Sequence, residues 1–251
     1  MVTRPVCIYL CGAPPAPIAA EHGRFADWFR RLLADHPLDA VEVDGTAGGR
    51  PPDPADFAAV VISGSPASVT EPEPWMDAAA ELVREAMRVG APLLGVCFGH
   101  QIAAAALGGA VRVNPRGWEV GTRAVELTAD GRADPLFDGI GPHLRVNFSH
   151  RDVVDPESLP APGCRVLAGN DRSEAQAFAA GDAVRCVQFH PEFDGAATRA
   201  YIRTRHDLLA ADAAARGASG DHPDALLAAT ADTPDGERVF HNFIRHWALK
   251  A

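Results

Sequence analysis

With 251 residues, 47% hydrophobic and 22% charged, the chain is long enough to bury a large core without disulfides or a structural metal. Its formal net charge of -10 disfavours attraction to nucleic acid or anionic lipid, so neither nucleic acid nor a membrane is expected as a partner. Five cysteines, an odd number without Cys-x-x-Cys spacing, read as reduced thiols and point to the cytoplasm; proline cuts the first apolar run below signal or membrane-span length.

From the amino terminus, short apolar runs bounded by Gly, Pro or Asp recur at 6–10, 40–43, 57–62, 92–96 and 184–189. Continuous runs of this kind suit strands buried on both faces. Helical patterns lie between them at 21–34, 75–89 and, rich in alanine, 100–107. The alternation predicts an α/β fold, a mostly parallel central sheet flanked by helices. Between 111 and 189 the segments 122–127, 144–148 and 165–168 alternate in polarity between turn residues and predict an added mixed or antiparallel region. A helix is expected over 195–216, then a Gly/Asp/Pro-rich stretch at 217–223, then a helical face at 236–250 carrying Val239, Phe243, Ile244 and Trp247. No repeat and no second domain is apparent, so 1–251 reads as one domain with a C-terminal helical extension from about 217.

The sharpest chemical feature is Gly95-Val96-Cys97-Phe98-Gly99, where an apolar strand runs into a cysteine and a helical pattern follows at once. A nucleophile on such a strand-to-helix turn has strained φ/ψ, and flanking glycines let neighbouring backbone come close. Cys97 would then stand above the sheet edge at a helix N-terminus, which favours thiolate, with the Phe98 amide aimed at a developing oxyanion. Taken alone, Cys97 reads equally as a buried structural thiol. Downstream, Phe189-His190-Pro191-Glu192 follows a second apolar strand. A cysteine nucleophile needs a base, and the base needs an acceptor that fixes its tautomer; His190 and Glu192 fit those roles. A third segment, Ile62-Ser63-Gly64-Ser65-Pro66, is a strand ending in small residues, either an ordinary turn or a place where the Gly64 and Ser65 amides complete an oxyanion hole.

In this order the pieces resemble the class I (triad) glutamine amidotransferases, whose marks are an S-G-G-P-like loop, a G-x-C-x-G-H-Q elbow and a late H-P-E; the likeness runs from Val6 to Arg203. It implies a flavodoxin-like open sandwich, with Cys97, His190 and Glu192 as catalytic triad. It also implies attack on the glutamine carboxamide, a γ-glutamyl thioester, and release of ammonia and glutamate. Gln101 becomes the candidate substrate-binding side chain and His100 a structural one. Asn147-Phe148-Ser149-His150-Arg151-Asp152 looks like the family's S-H-x-D segment, and the resemblance implies that it lines the pocket and grips the α-amino and α-carboxylate groups of substrate largely through main chain, which carries Ser149, His150 and Arg151 over as substrate-binding residues. Ser65 stands where the family usually has a second glycine, which leaves the backbone donor there open. Arg116 to Gly121 resembles a stretch of the GMP-synthase-like and γ-glutamyl-peptidase branch and reads as a loop entering a strand.

Ten histidines show no metal-ligand spacing, so no metal and no other cofactor is expected. No G-x-x-x-x-G-K-[ST] loop occurs and the chain is too short for an ATP-pyrophosphatase domain, so ammonia would pass to a separate synthetase subunit. The alternatives are a self-sufficient γ-glutamyl peptidase acting on γ-glutamyl amides such as glutathione conjugates, and a catalytically silent scaffold. A glutaminase needs room only for ammonia beyond the γ-carbonyl, whereas a peptidase needs a cleft for the departing peptide.

Overall fold

The computed structural model describes residues 4–160 and 163–250. In chain order the strands are β1 (Val6–Leu10), β2 (Ala40–Asp44), β3 (Ala59–Ile62), β4 (Leu93–Val96), β5 (Val111–Val113), β6 (Glu119–Leu127), β7 (His143–His150), β8 (Asp152–Val154), β9 (Cys164–Gly169), β10 (Ala177–Ala180) and β11 (Val184–Val187). The helices are α1 (Ala16–His22), α2 (Phe25–Leu33), α3 (Met76–Val89), α4 (Phe98–Ala106), α5 (Ala129–Ala133), α6 (Gly195–Thr204), α7 (His206–Arg216), α8 (Pro223–Ala229) and α9 (Pro234–Phe243).

One nine-stranded sheet runs β2-β1-β3-β4-β11-β10-β9-β6-β7, and β5 pairs with β8 apart from it. The first five strands are parallel; the last four continue the same sheet in antiparallel steps. This is the α/β arrangement the sequence predicts, with its antiparallel region joined edge-on to the parallel half. Strand alternation sets the layers. Val6 and Ile8 of β1 face a core shared with Phe29 of α2 and Phe240 and Phe243 of α9. Cys7 and Tyr9 face the other, with Leu82 of α3 and Ala103 of α4. In such sheets ligands bind beyond the carboxyl ends of the strands. Those ends carry the Ser63 loop after β3, Cys97 after β4 and the His190 loop after β11.

Several expected elements differ in detail. The helix expected over 21–34 is two helices, because Gly23 turns the chain with φ 89° and the Arg24 amide restarts it by donating to Asp27 Oδ2 at 2.8 Å. β2 is not buried on both faces: it forms the sheet edge and leaves Val41 42% exposed. Phe57 lies before β3 rather than in it, and β11 ends at Val187, two residues short of the expected limit. The helix expected over 195–216 breaks at Arg205, whose φ of -109° and ψ of 17° turn α7 off α6. After α9 the chain continues in a π-helical turn, Ile244–Ala248. Among the described residues no helix is long and apolar enough to cross a membrane.

Candidate active site

Cys97 is the only non-glycine residue with positive φ among the described residues, at φ 52° and ψ -99°. Side chains on its flanks would not fit. A Cβ on Gly95 would lie 2.5 Å from the Gly99 carbonyl oxygen, and one on Gly99 would lie 2.4 Å from that of Ile62. The elbow is thus pressed between β3, β4 and the first turn of α4. The Cys97 amide donates to Val187 O at 2.9 Å, and its carbonyl accepts from the Gln101 amide at 3.1 Å. These bonds lock a conformation that L residues otherwise avoid.

His190 and Glu192 stand beside it, both almost fully buried. His190 Nδ1 donates to Glu192 Oε1 at 2.7 Å, which leaves Nε2 for the thiol. The ring stacks on Phe193 with centroids 3.8 Å apart, and Phe193 stacks in turn on Tyr201. Burial alone would depress the imidazole; the Glu192 carboxylate and then Cys97 overrule it and raise the ring to about 10, which favours imidazolium. Asn147 of β7 fixes this loop from behind: its carbonyl accepts from the His190 amide at 2.9 Å, and its Nδ2 donates to Phe193 O at 3.0 Å.

The Gly64 loop closes the third side. A Cβ there would sit 2.9 Å from His190 Cε1 and 3.7 Å from Cys97 Cβ, so only glycine leaves room. Ser63 Oγ accepts from the Cys11 amide at 3.0 Å and donates to Gly64 O at 2.8 Å. Because a trans peptide directs C=O and N–H oppositely, that pinned carbonyl aims the Ser65 N–H the other way. Ser65 Oγ accepts from the Ala67 amide at 3.0 Å, so the serine found in place of a glycine shapes the turn with its own side chain.

Cys97 borders two cavities of unequal size. One, of about 20 Å³, is lined by His190, Phe193, Tyr201 and Phe25. The other, of about 300 Å³, is lined by Gln101, Ser149, His150, Arg151 and Trp118. Ser65, Ser149 and Arg205 touch both.

A comparison with protein families matches glutamine amidotransferase class-I over residues 39–206. The chain belongs to that family. It is 34% identical to a GMP synthase [glutamine-hydrolyzing] subunit of Halobacterium salinarum over 178 residues, 70% of this chain and 87% of that one. It is 39% identical to GMP synthase [glutamine-hydrolyzing] of Pyrobaculum aerophilum over 138 residues, 55% of this chain but 24% of the relative, so it spans about a quarter of that protein's length. Among solved structures, a glutamine amidotransferase from Thermotoga maritima superposes with TM-score 0.72 at 19% identity, covering 98% of both chains. One from Methylobacillus flagellatus does so with TM-score 0.73 at 21% identity, covering 98% of this chain and 96% of that one.

Within this family member, the fold brings Cys97, His190, Glu192, Gly64, Ser65 and Phe98 together at the carboxyl ends of the central strands β3, β4 and β11. Gln101 is buried, and its Nε2 donates to Asp152 O at 2.9 Å and Gln188 Oε1 at 3.1 Å, so only its amide oxygen is left for the large cavity it borders. His150 is held on both sides, Nδ1 at 3.0 Å from Asp152 O and Nε2 at 3.1 Å from Glu119 Oε2. Arg151 is exposed on the cavity wall. His100 is fully buried beside Phe178, and that burial pushes it down to about 3. Among the described residues no group of three or more His, Cys, Asp or Glu is placed to hold a metal.

Three residues of the site do not stand out in the sequence. Glu119, in the Arg116 to Gly121 stretch that reads as a plain loop, is a fully buried carboxylate that holds His150 and accepts from Asn170 at 2.6 Å and Gln176 at 2.7 Å. Asn147 enters the sequence pattern only as the first residue of a motif. Arg205 carries no sequence signal at all.

Proposed function

We propose that this chain is a glutaminase-type amidotransferase, in which Cys97 is the nucleophile, His190 the acid–base group and Glu192 its orienting partner. The reading rests on one observation: Cys97 stands between a cavity of about 300 Å³ and one of about 20 Å³, and His190 lines the smaller. A water-sized site needs roughly 10–15 Å³, so the small cavity has room for ammonia.

The Cys97 thiolate attacks the side-chain carbonyl carbon of glutamine, and the oxyanion is received by the Phe98 and Ser65 amides. As the C–N bond breaks, His190 gives its proton to the departing nitrogen, and ammonia leaves on its side. A water deprotonated by His190 then attacks the thioester, releasing glutamate and the thiolate. Ser149 and Gln101 Oε1 line the cavity for the amino-acid end, with His150 and Arg151 completing its wall. A separate synthetase subunit receives the ammonia, in keeping with the Halobacterium relative, which is named as one subunit of a GMP synthase.

The test is to mix purified protein separately with glutamine and with glutathione and follow ammonia and free glutamate, with Cys97→Ala as control. Ammonia from glutamine that vanishes in Cys97→Ala is the expected result. Glutamate from glutathione and no ammonia from glutamine would transfer the assignment to a γ-glutamyl peptidase.

A further inference from the structure

Residues 190–194 are tied to the rest of the chain at unlike points. Asn147 on β7 fixes His190 through its amide and Phe193 through its carbonyl. Glu192, between them, takes no hydrogen bond from the sheet. Its amide donates to no acceptor among the described residues, and Pro191 before it has no N–H to offer. Its carboxylate takes one bond, from His190 Nδ1 to Oε1, and Oε2 is buried with no partner among the described residues. A carboxylate with so few ties points where its backbone points. That backbone has one bond, and it comes from α2: Arg31 Nη2 donates to Glu192 O at 3.0 Å, while Nη1 lies 3.3 Å from Asp194 Oδ2.

Helix α2 is built to serve as that anchor. Phe29, Leu32 and Leu33 bury one face in the core shared with β1 and α9. Trp28, three residues before Arg31 and so on the same side of the helix, meets Phe193 edge to face with centroids 5.2 Å apart. Phe193 is the ring on which His190 stacks. One helix thus backs both halves of the acid–base pair, the imidazole through Trp28 and Phe193, the carboxylate through Arg31. The planar guanidinium engages through both terminal nitrogens, which fixes the Glu192 carbonyl relative to Asp194. Asp194 is itself fixed, capping α6 by accepting from the Ala197 amide at 2.7 Å. With side chains 47% and 36% exposed, the Arg31–Asp194 pair adds little to stability, so its effect is one of geometry.

Resting on the triad assigned above, we propose that Arg31 is a positioning residue for Glu192, holding the backbone of residues 192–194 so that Oε1 stays within bonding distance of His190 Nδ1. It lines neither of the cavities that border Cys97. Its consequence runs through the ring. Against burial, the Glu192 carboxylate is the chief group that raises His190. A Glu192 that drifts lets the imidazolium go, and with it the thiolate that the imidazolium supports.

The experiment follows alkylation of Cys97 by iodoacetamide against pH, beside ammonia release from glutamine. It compares the parent with Arg31→Met, Arg31→Lys, Glu192→Ala and a chain carrying both Arg31→Met and Glu192→Ala. Arg31→Met should lower kcat by about tenfold, part of what a displacement near 1 Å costs, with KM within about twofold. It should slow alkylation at neutral pH and move the acid limb of the profile to higher pH, the direction in which Glu192→Ala moves it further. Arg31→Lys, which can reach the carbonyl but cannot grip both partners, should recover part of the loss. The chain with both changes should match Glu192→Ala within about twofold in both assays, because without the carboxylate the arginine has nothing to place. Arg31→Met indistinguishable from the parent overturns the inference. So does a loss that adds in full to that of Glu192→Ala, as a general weakening of the fold would give. An alkylation profile left in place by Glu192→Ala sinks the triad and the inference with it. A parent that releases no ammonia but shows the expected alkylation pattern sinks the glutaminase reading and leaves Arg31 its role.

Discussion

Gly64→Ala isolates how tightly the base is placed. Gly64 does not have positive φ, so alanine is admissible on the backbone and the penalty is steric. The new methyl would lie 2.9 Å from His190 Cε1, where ordinary contact begins at 3.4 Å. About half an ångström must therefore be found in a ring that is bonded to Glu192 at 2.7 Å and stacked on Phe193 at 3.8 Å. A displacement near 1 Å can cost about a hundredfold in rate, so a loss of about tenfold in kcat is expected. Stability should fall by only about 1 kcal/mol, the lower range for adding one methyl to a packed site. Ammonia release from glutamine gives kcat, and iodoacetamide alkylation at neutral pH reads thiolate activation independently of substrate. That probe is clean because burial pushes Cys7 up to about 12 and pushes Cys11, Cys164 and Cys186 up as well. If Gly64→Ala keeps kcat and alkylation within twofold of the parent, the contact does not set the base and the reasoning fails.

Asn147→Ala should cost about 3 kcal/mol in a denaturant titration, since it takes the donor from the buried Phe193 carbonyl and the acceptor from Thr122; a loss below about 1 kcal/mol would mean the His190 loop is held otherwise. His100 ionises at about 3 when folded against an ordinary 6.5, so the unfolded chain binds the extra proton. Its contribution to stability is present above pH 6.5 and is lost as pH falls towards 3, at up to about 1.4 kcal/mol per pH unit. His100→Leu should flatten that slope in urea melts between pH 6.5 and 4, and an unchanged slope would contradict the neutral ring. Glu192→Gln should lower kcat less than His190→Ala does, because it orients rather than transfers the proton; equal, negligible effects would remove both from the mechanism.

Strands β1, β3 and β4 are legible in the sequence because they are continuous apolar runs, the pattern that burial on both faces demands, whereas the edge strand β2 carries Glu42 and β11 carries Arg185. The elbow is legible because its glycines answer to contacts of 2.4 and 2.5 Å that no other residue satisfies. β10 is not: Ala177-Phe178-Ala179-Ala180 has the small side chains of a helix former and becomes a strand only between β9 and β11. Glu119 passes for part of a loop because what retains a buried carboxylate there comes from His150, Asn170 and Gln176, far along the chain. Arg205 has no signal because the sequence around it contains neither glycine nor proline, and its meaning lies in the rings and the thiol it meets after folding.

Those rings form one continuous stack, His190 on Phe193, Phe193 on Tyr201, and Arg205 over Tyr201 and Trp118. Its members come from the loop after β11, from α6, from the break before α7 and from the approach to β6. A cation raised by Glu192 stands at one end and a cation lacking a carboxylate near the other, with aromatic faces between them. Faces of this kind hold cations without neutralising them. Both charges therefore remain beside Cys97. Helix α6 supplies the spacing: one helical turn from Tyr201 to Arg205 brings the guanidinium over the ring that backs Phe193. Arg205 keeps that register, its amide donating to Tyr201 O at 3.2 Å, and the break at 205 redirects only the chain that follows into α7.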